Sequence, residues 1–291
     1  MTGPARLNPA SQAKSRPSRG ADVLRRSLAD LDFRSLAVLE LLSGEPVLTS
    51  HHVRELVFTD GTPATRAELC RRTLRRLTTA GLLYRARAQR GESGGGSRPS
   101  VYALTAKGDR LLRLRDGRAT TGRRRRPVDV GTALHAHQLA IADLQVSLVT
   151  AGRAQSTPVR WTGEPGCWWE FTGSAGRELL KPDGYAELDL PGLNRLAWFE
   201  LDRGTQSVPT TIAGKVRRYC RAALAKAAAD EPIPLVVFVV SGAERRARIA
   251  EQRERWASQE RLPGPAAARL LQVVAPAGVV PLLFLPDGTG G

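Results

Sequence analysis

The sequence contains little cysteine, with three residues of this type among 291. Cys70, Cys167 and Cys220 are far apart along the chain, whereas zinc sites and disulfide frameworks place cysteines at short, regular spacings. This pattern excludes a small disulfide-rich secreted protein and favours a reducing compartment, so we expect the protein in the cytoplasm. The chain is long enough for two domains of ordinary size.

Long apolar runs are also missing. The longest are LVVFVV at Leu235–Val240 and VVPLLFL at Val279–Leu285, both far shorter than the roughly 20 apolar residues that span a bilayer. We therefore expect no membrane partner, and both runs predict buried strands. Residues 1–20 have no apolar centre, which argues against a signal peptide, and we expect residues 1–28 to form a disordered basic tail.

Acidic residues are scarce between Arg66 and Arg126. This segment has 18 arginine and lysine residues against four acids, so it carries +14 of the chain's net charge of +16. The rest of the chain is close to neutral. A solvated surface rich in arginine is the simplest explanation, but one strongly basic segment on a balanced protein favours binding to a polyanion, and we expect nucleic acid.

Three helices followed by a hairpin are predicted for the first third of the chain. Helical spacing of apolar residues covers Asp32–Leu42, the segment HHVRELVF and Ala64–Ala80. Two short strands, Leu83–Ala88 and Val101–Leu104, flank the flexible tip GESGGGSRP, and a fourth helix follows them. Residues 116–130 contain four consecutive arginines and predict a linker that also touches phosphate.

This order of elements, with the segments RRTLRRLTTAGLLYRARAQRG and VYALTAKGDRLL, resembles the winged helix-turn-helix fold over residues 29–115. The resemblance implies that the third helix enters the major groove of double-stranded DNA and that the hairpin lies along the backbone or in the minor groove. Phosphate contact is the default role of an arginine on such a surface. The residues that would face DNA are Arg71, Arg72, Arg75 and Arg76 on the helix and Arg85, Arg87, Arg90 and Arg98 on the hairpin.

Residues 131–287 predict a second domain of mixed α/β (α+β) class. A long helix opens it in TALHAHQLAIADLQVSLVTAG, and the order of elements is α-β-β-β-α-β-α-β, as in a mixed sheet covered by helices. The segments RELLKPDGYAELDL and NRLAWFELDRG predict the two strands of a hairpin, joined at Pro191–Leu193.

The Pro-Asp of KPDGYAEL and the acids of FELDRG lie on these two strands, and with the order of elements they resemble the PD-(D/E)xK nuclease-like fold. The resemblance implies a site for Mg²⁺ or Mn²⁺ made by Asp183, Glu200 and an acid of the first helix, for which Asp143 is the candidate. Pro-Asp is also a common turn dipeptide, and two acids at alternate strand positions are frequent by chance.

The nuclease fold usually has a lysine where this chain has Asp202, and this difference leaves cleavage in doubt. Lys181 or Lys215 could supply the ammonium instead, or Asp202 could complete the metal site as a third carboxylate. The candidate catalytic residues are Asp183, Glu200, Asp202 and Lys215.

A narrower resemblance covers nearly the whole chain. The segments HQLAIADLQVSL, WTGE, KPDGYAEL and, above all, FELDRGTQS followed by KVRRYCRA resemble the replication-relaxation family, whose members are encoded by bacterial plasmids and integrative mobile elements. The resemblance implies that an aspartate in the lysine position is the ordinary pattern. It also implies a shared site, formed by Glu200, Asp202, Arg203, Thr205 and Ser207.

Three functions remain open. The first is a DNA-binding accessory protein of plasmid or mobile-element replication and relaxation, with an atypical or inactive nuclease-like domain and with replication or transfer proteins as partners. The second is an active metal-dependent DNA endonuclease or nickase. The third is a winged-helix transcriptional regulator, which would need an apolar ligand pocket. The histidines form no triad and tyrosines are few, so relaxase activity is not expected.

Overall fold

A computed structural model describes residues 19–87, 100–119, 133–173, 176–259 and 264–285. The first part of the chain is helical with a small sheet. Its elements are α1 (Arg19–Ala29), α2 (Phe33–Gly44), β1 (Leu48–Thr49), α3 (Ser50–Val57), α4 (Pro63–Thr79), β2 (Leu83–Arg87), β3 (Ser100–Leu104) and α5 (Ala106–Arg115).

The second part is built around a larger sheet. Its elements are α6 (Ala133–Ala154), β4 (Val159–Gly163), β5 (Trp169–Gly173), β6 (Gly176–Leu180), β7 (Gly184–Leu190), β8 (Leu193–Asp202), a π-helical turn (Val208–Ile212), α7 (Ala213–Ala228), β9 (Leu235–Val240), α8 (Ala243–Gln259), α9 (Gly264–Leu270), β10 (Leu271–Val274), a 3₁₀ turn (Pro276–Gly278) and α10 (Val279–Phe284). The predicted mixed α+β class is therefore confirmed.

Side-chain caps fix the starts of the helices in the first part. Asp32 accepts a hydrogen bond from the backbone N–H of Ser35 at α2, and Thr62 begins α4 with a proline in the first helical position. At α3, Thr49 and His52 form a reciprocal capping box, in which Nδ1 of His52 accepts from the Thr49 backbone. These caps position α2, α3 and α4 before the antiparallel β2–β3 hairpin, which β1 extends to three strands.

The larger sheet has the strand order β10-β9-β8-β7-β4. Strands β4, β7 and β8 are antiparallel, whereas β8, β9 and β10 are parallel, so the sheet is mixed. Alternating residues separate its two faces. On β8, Ala197, Phe199 and Leu201 face the layer of α6 and α10, while Trp198 and Glu200 face the layer of α7 and α8. The β5–β6 ribbon packs beside α7.

Helix α6 also joins the two parts of the molecule. Its Asp143 accepts a hydrogen bond from Nε2 of the buried His52 at 2.8 Å. Its Arg153 donates to the carbonyl oxygens of Glu55 and Leu56, which lie at the C-terminal end of α3. Beside this contact, Trp161 of β4 donates its indole N–H to Glu45 at 3.2 Å. The two parts therefore share a packed, hydrogen-bonded interface.

Three predictions about elements are wrong. Residues 19–28, expected in a disordered tail, lie in α1, and its Leu24 and Leu28 pack on the core of the first part. The run VVPLLFL forms α10 instead of a strand, and the last strand is Leu271–Val274. The segment from Arg177 to Leu190 makes two strands in different sheets.

Much of the predicted linker and the tip of the predicted hairpin lie outside the described residues. Within the described part of the chain, no helix combines the length and apolarity that a membrane span requires.

Burial of Glu45 generates a prediction about pH. Desolvation raises the pKa of this carboxyl from 4.5 to about 7, opposed by its hydrogen bond from Trp161. Because the folded state holds this proton more tightly than the unfolded state, its stabilising contribution is complete below about pH 4.5 and is lost as the pH rises through 7. The free energy of unfolding should fall over this window by on the order of 2 kcal/mol relative to Glu45→Gln.

Urea unfolding of the wild type and of Glu45→Gln at pH 5 and pH 8 measures this difference. Other groups titrate in both proteins and cancel in the comparison. Parallel pH profiles for the two proteins would contradict the role assigned to Glu45.

Candidate functional site

Two strand ends bring together two of the predicted acids. Asp183 immediately precedes β7, and the pairing of Gly184 with Phe199 puts it next to Glu200 of β8. The backbone N–H of Asp183 donates to the carbonyl of Phe199, and its Oδ2 accepts from the backbone N–H of Leu201 at 2.7 Å. The strand pairing therefore fixes the position of the Asp183 carboxylate. Asp183 and Glu200 are both buried, at 8% and 2% relative exposure.

Helix α7 supplies both partners of Glu200. The ammonium of Lys215 contacts Oε1, and the hydroxyl of Tyr219 donates to Oε2 at 3.1 Å. Lys215 and Tyr219 are four residues apart, so they lie on one face of α7. Burial and the nearby charge of Asp183 raise the pKa of Glu200, while Lys215 and Tyr219 oppose the shift. The ammonium thus offsets a carboxylate that would otherwise lie unpaired in the protein interior.

Helix α6 supplies a partner for Asp183. Nε2 of His137 donates to Oδ1 of Asp183 at 3.1 Å, and 27% of the His137 side chain is exposed. This hydrogen bond raises the pKa of His137, against the effect of desolvation, because the carboxylate favours the imidazolium. His137 was not among the site residues predicted from the sequence.

Asp202 is bound by helix α8. Nη2 of Arg245 donates to Oδ1 at 2.9 Å and Nε contacts Oδ2, a bidentate pair. The backbone N–H of Gly204 also donates to Oδ1, and φ of +83° at Gly204 allows the chain to turn there. Arg245 in addition donates to the carbonyl of Gln206, so it attaches both the strand end and the following segment to α8.

The remaining residues of the shared site that the family resemblance implies lie on this turn. Arg203, Thr205 and Ser207 are exposed, in contrast to the buried Glu200 and Asp202. Ser207 occupies the N-cap position of the π-helical turn, but its side chain makes no capping hydrogen bond there. Its carbonyl instead accepts from the backbone of the turn. The structure thus divides the motif into a buried acidic half and an exposed half.

Asp143 does not join the acids, which corrects its prediction as the metal-binding acid of the helix. It lies six residues after His137, and six residues turn a helix by about 600°, so the two side chains point in different directions. His137 contacts Asp183, whereas Asp143 pairs with His52 of α3.

Neither Mg²⁺ nor Mn²⁺ fits the donors that this arrangement offers. A divalent cation of this type requires carboxylate oxygens that can coordinate it directly. The oxygens of Asp183, Glu200 and Asp202 are hydrogen-bonded to protein donors, and two of these donors, Lys215 and Arg245, are cationic. Among the described residues, no group of three or more histidine, cysteine, aspartate and glutamate side chains is placed to hold a metal ion.

A second candidate surface is the outer face of α4. The helix buries Cys70, Thr73, Leu74 and Leu77 in the core of the first part. The opposite face exposes four arginines, namely Arg71, Arg72, Arg75 and Arg76.

Their partners differ. Arg71 pairs with Glu68, and Arg76 donates to Asp32 and Ser35 of the α2 start. Arg72 and Arg75 have no ion pair or hydrogen bond with any side chain in the described segments of the chain.

Two of the four predicted hairpin arginines, Arg85 and Arg87, lie within the described residues. Arg85 is exposed on β2 and donates from Nε and Nη2 to the hydroxyl of Ser100 across the hairpin. Arg87 lies opposite Ser100 in the backbone register of β2 and β3. Arg90 and Arg98 lie outside the described residues.

Three residues that the sequence analysis missed complete the acidic site: His137, Tyr219 and Arg245. A signal existed for Tyr219, because it follows Lys215 by four residues on a predicted helix. No local signal marks Arg245, which is one of several arginines in a charged helix and 43 residues from Asp202.

The comparisons with known proteins give the following matches. The model of the family described as Replication-relaxation matches residues 39–236, more than half of the chain. Among solved structures, the restriction endonuclease FokI matches with 12% sequence identity and a TM-score of 0.29, over 85% of this chain and 42% of the FokI chain. At this score the likeness supports no conclusion about fold or activity. No curated protein gives a match.

The Asp202–Arg245 pair generates a prediction about stability. Arg245→Met leaves a buried carboxylate without its cation, which should lower the free energy of unfolding by roughly 2–3 kcal/mol. Asp202→Asn keeps an acceptor and leaves no buried charge, so it should cost less. Urea unfolding at neutral pH measures both changes.

Arg248→Met is the matched control for Arg245→Met. Arg248 lies three residues further along α8 and pairs with the exposed Glu244, so its loss should cost less than about 0.5 kcal/mol. Equal losses for Arg245→Met and Arg248→Met would show that the pair does not stabilise the turn.

Proposed function

The chain belongs to the replication-relaxation family, and on that premise we propose that it is a DNA-binding accessory protein for the replication or relaxation of plasmids and related mobile elements. Family membership gives the protein a role related to replication or relaxation. The finer proposal is that double-stranded DNA is the direct ligand, bound by α4 and the β2–β3 hairpin, and that the second part of the chain does not cleave it.

One observation carries the proposal: α4 presents guanidinium groups that pair with no side chain among the described residues. Arg72 and Arg75 are exposed, three residues apart, and unpaired within the described segments of the chain. A solvated surface could have the same appearance. The concentration of +14 between Arg66 and Arg126 favours an anionic partner, because it concentrates positive potential on this part of the molecule.

The surrounding elements support a winged helix-turn-helix mode of binding. Helices α2 and α3 pack behind α4, and the β2–β3 hairpin follows it directly in the chain. In that mode the third helix enters the major groove and the hairpin contacts the backbone. Arg71 and Arg76 then have a double role, since both hold intramolecular partners on the free surface. Arg72 and Arg75 are the residues that we expect to contribute most to affinity.

The acidic site favours an accessory role over endonuclease activity. Metal-assisted hydrolysis requires an ion that polarises the phosphodiester and activates water. The carboxylates of Asp183 and Glu200 are paired with His137 and Lys215, and the donor set does not fit such an ion.

The first test removes the unpaired charges. Fluorescence anisotropy with a labelled DNA duplex should show that Arg72→Ala/Arg75→Ala weakens binding by roughly 10–100-fold at moderate salt. Each lost phosphate contact should also reduce the slope of log affinity against log salt by about 1, so the double variant should lose about 2.

Arg177→Ala is the matched control, because Arg177 is exposed on β6 and makes a loose ion pair with Glu170 at 3.5 Å. It removes the same kind of charge from the other part of the molecule and should leave the affinity nearly unchanged. Wild-type affinity in Arg72→Ala/Arg75→Ala, or an equal loss in Arg177→Ala, would overturn the proposed DNA surface.

The second test addresses cleavage. Supercoiled plasmid incubated with the wild type and Mg²⁺ or Mn²⁺ should remain supercoiled, as it does with chelator. Nicking that requires the metal and disappears in Asp183→Ala and Glu200→Ala would instead establish the endonuclease alternative.

A further inference from the structure

We propose that His137 and Lys215 occupy the carboxylates of Asp183 and Glu200 from within the chain, and that this pair of acids therefore binds no divalent cation. The pair occupies the place at which a resemblance to nucleases implies Mg²⁺ or Mn²⁺. The absence of a cation at this site deepens the non-cleaving role proposed above, whereas DNA binding by α4 does not depend on it.

The four carboxylate oxygens all have protein donors. On Asp183, His137 donates to Oδ1 at 3.1 Å and the backbone N–H of Leu201 donates to Oδ2 at 2.7 Å. On Glu200, the Lys215 ammonium contacts Oε1 and the Tyr219 hydroxyl donates to Oε2 at 3.1 Å. Mg²⁺ needs carboxylate oxygens directed at it in near-octahedral geometry, so it would compete with these donors, above all with the Lys215 ammonium on Glu200.

The charges also oppose a metal ion. Glu200 is nearly fully buried, and the side chain of Lys215 is 28% exposed, so the ion pair lies largely away from solvent. Charges in such a site are weakly screened, and an ion with two positive charges would be repelled by the ammonium that already contacts Glu200.

The acids have little freedom to turn toward another ligand. Asp183 is fixed at both its backbone and its side chain by β8, through Phe199 and Leu201. Asp202, the remaining acid of the strand end, is held by Arg245. A third carboxylate is therefore not free to complete a coordination shell.

Calorimetric titration of the wild type with Mn²⁺ at neutral pH is the direct test. Up to millimolar Mn²⁺, we expect no binding that depends on this site. The wild type, Asp183→Asn and Glu200→Gln should therefore give the same titration. Tight binding in the wild type that disappears in either variant would overturn the proposal.

The second measurement asks whether Lys215 is the group that excludes the cation. Lys215→Met removes the ammonium and leaves Asp183 and Glu200 next to each other, so Mn²⁺ should now bind, with an affinity at least about tenfold above that of the wild type. Lys226→Met is the matched control on the same helix, because Lys226 pairs with the exposed Glu231. It should leave Mn²⁺ binding unchanged.

Each possible result for Lys215→Met has a defined meaning. If Lys215→Met folds, as judged by circular dichroism, and gains no affinity for Mn²⁺, the assignment of Lys215 is wrong. If it does not fold, the wild-type titration against Asp183→Asn and Glu200→Gln decides the question alone. DNA affinity measured in chelator tests α4 separately, so failure of one proposal is distinguishable from failure of the other.

Discussion

The arrangement of the second part of the molecule depends on the pairing of buried acids at the ends of its strands. Glu200 is only 2% exposed, and an unpaired carboxylate at that depth would cost several kcal/mol. Each of the three acids obtains its compensating group from a different helix: His137 from α6, Lys215 from α7 and Arg245 from α8. Apolar packing holds these helices on the sheet. The polar pairs restrict the positions of the helices further, because a shift of a helix along the strands would separate its side chain from the buried acid.

Helix α6 extends this ordering to the first part of the molecule. One side of the helix places His137 at Asp183, and another places Asp143 at His52, whose Nδ1 in turn caps α3. The same helix therefore touches the acidic site and the scaffold behind α4. A change in the position of α6 would disturb both, so the two parts are physically connected even though much of the sequence between them reads as a linker.

The sequence predicted the elements whose apolar residues recur with a clear period. It did not predict side-chain contacts between residues that are far apart in the chain. The spacing of Cys70, Leu74 and Leu77 identified α4, because one buried face at 3.6-residue spacing is unambiguous. The run Val279–Leu285 was wrongly predicted as a strand, since a short apolar run fits a buried helix equally well. Pairing of β7 with β8 brings Asp183 to Glu200, as the two motifs suggested. The residue of α6 that contacts Asp183 was predicted to be an acid, Asp143. The rotation of side chains around the helix places His137 there instead.

Arg245 gives a physical reason for an aspartate at position 202, where the predicted nuclease motif would have a lysine. Residues 200 and 202 point to the same face of β8, so a lysine at 202 would direct its ammonium toward the guanidinium that now binds Asp202. Two cations would then meet at a buried strand end with no acid between them. Lys215 contacts Glu200 from α7, so the positive charge beside Glu200 comes from the helix and not from β8. Asp202 and Arg245 thus form a unit, and exchanging Asp202 alone for lysine would break the contacts that hold the turn.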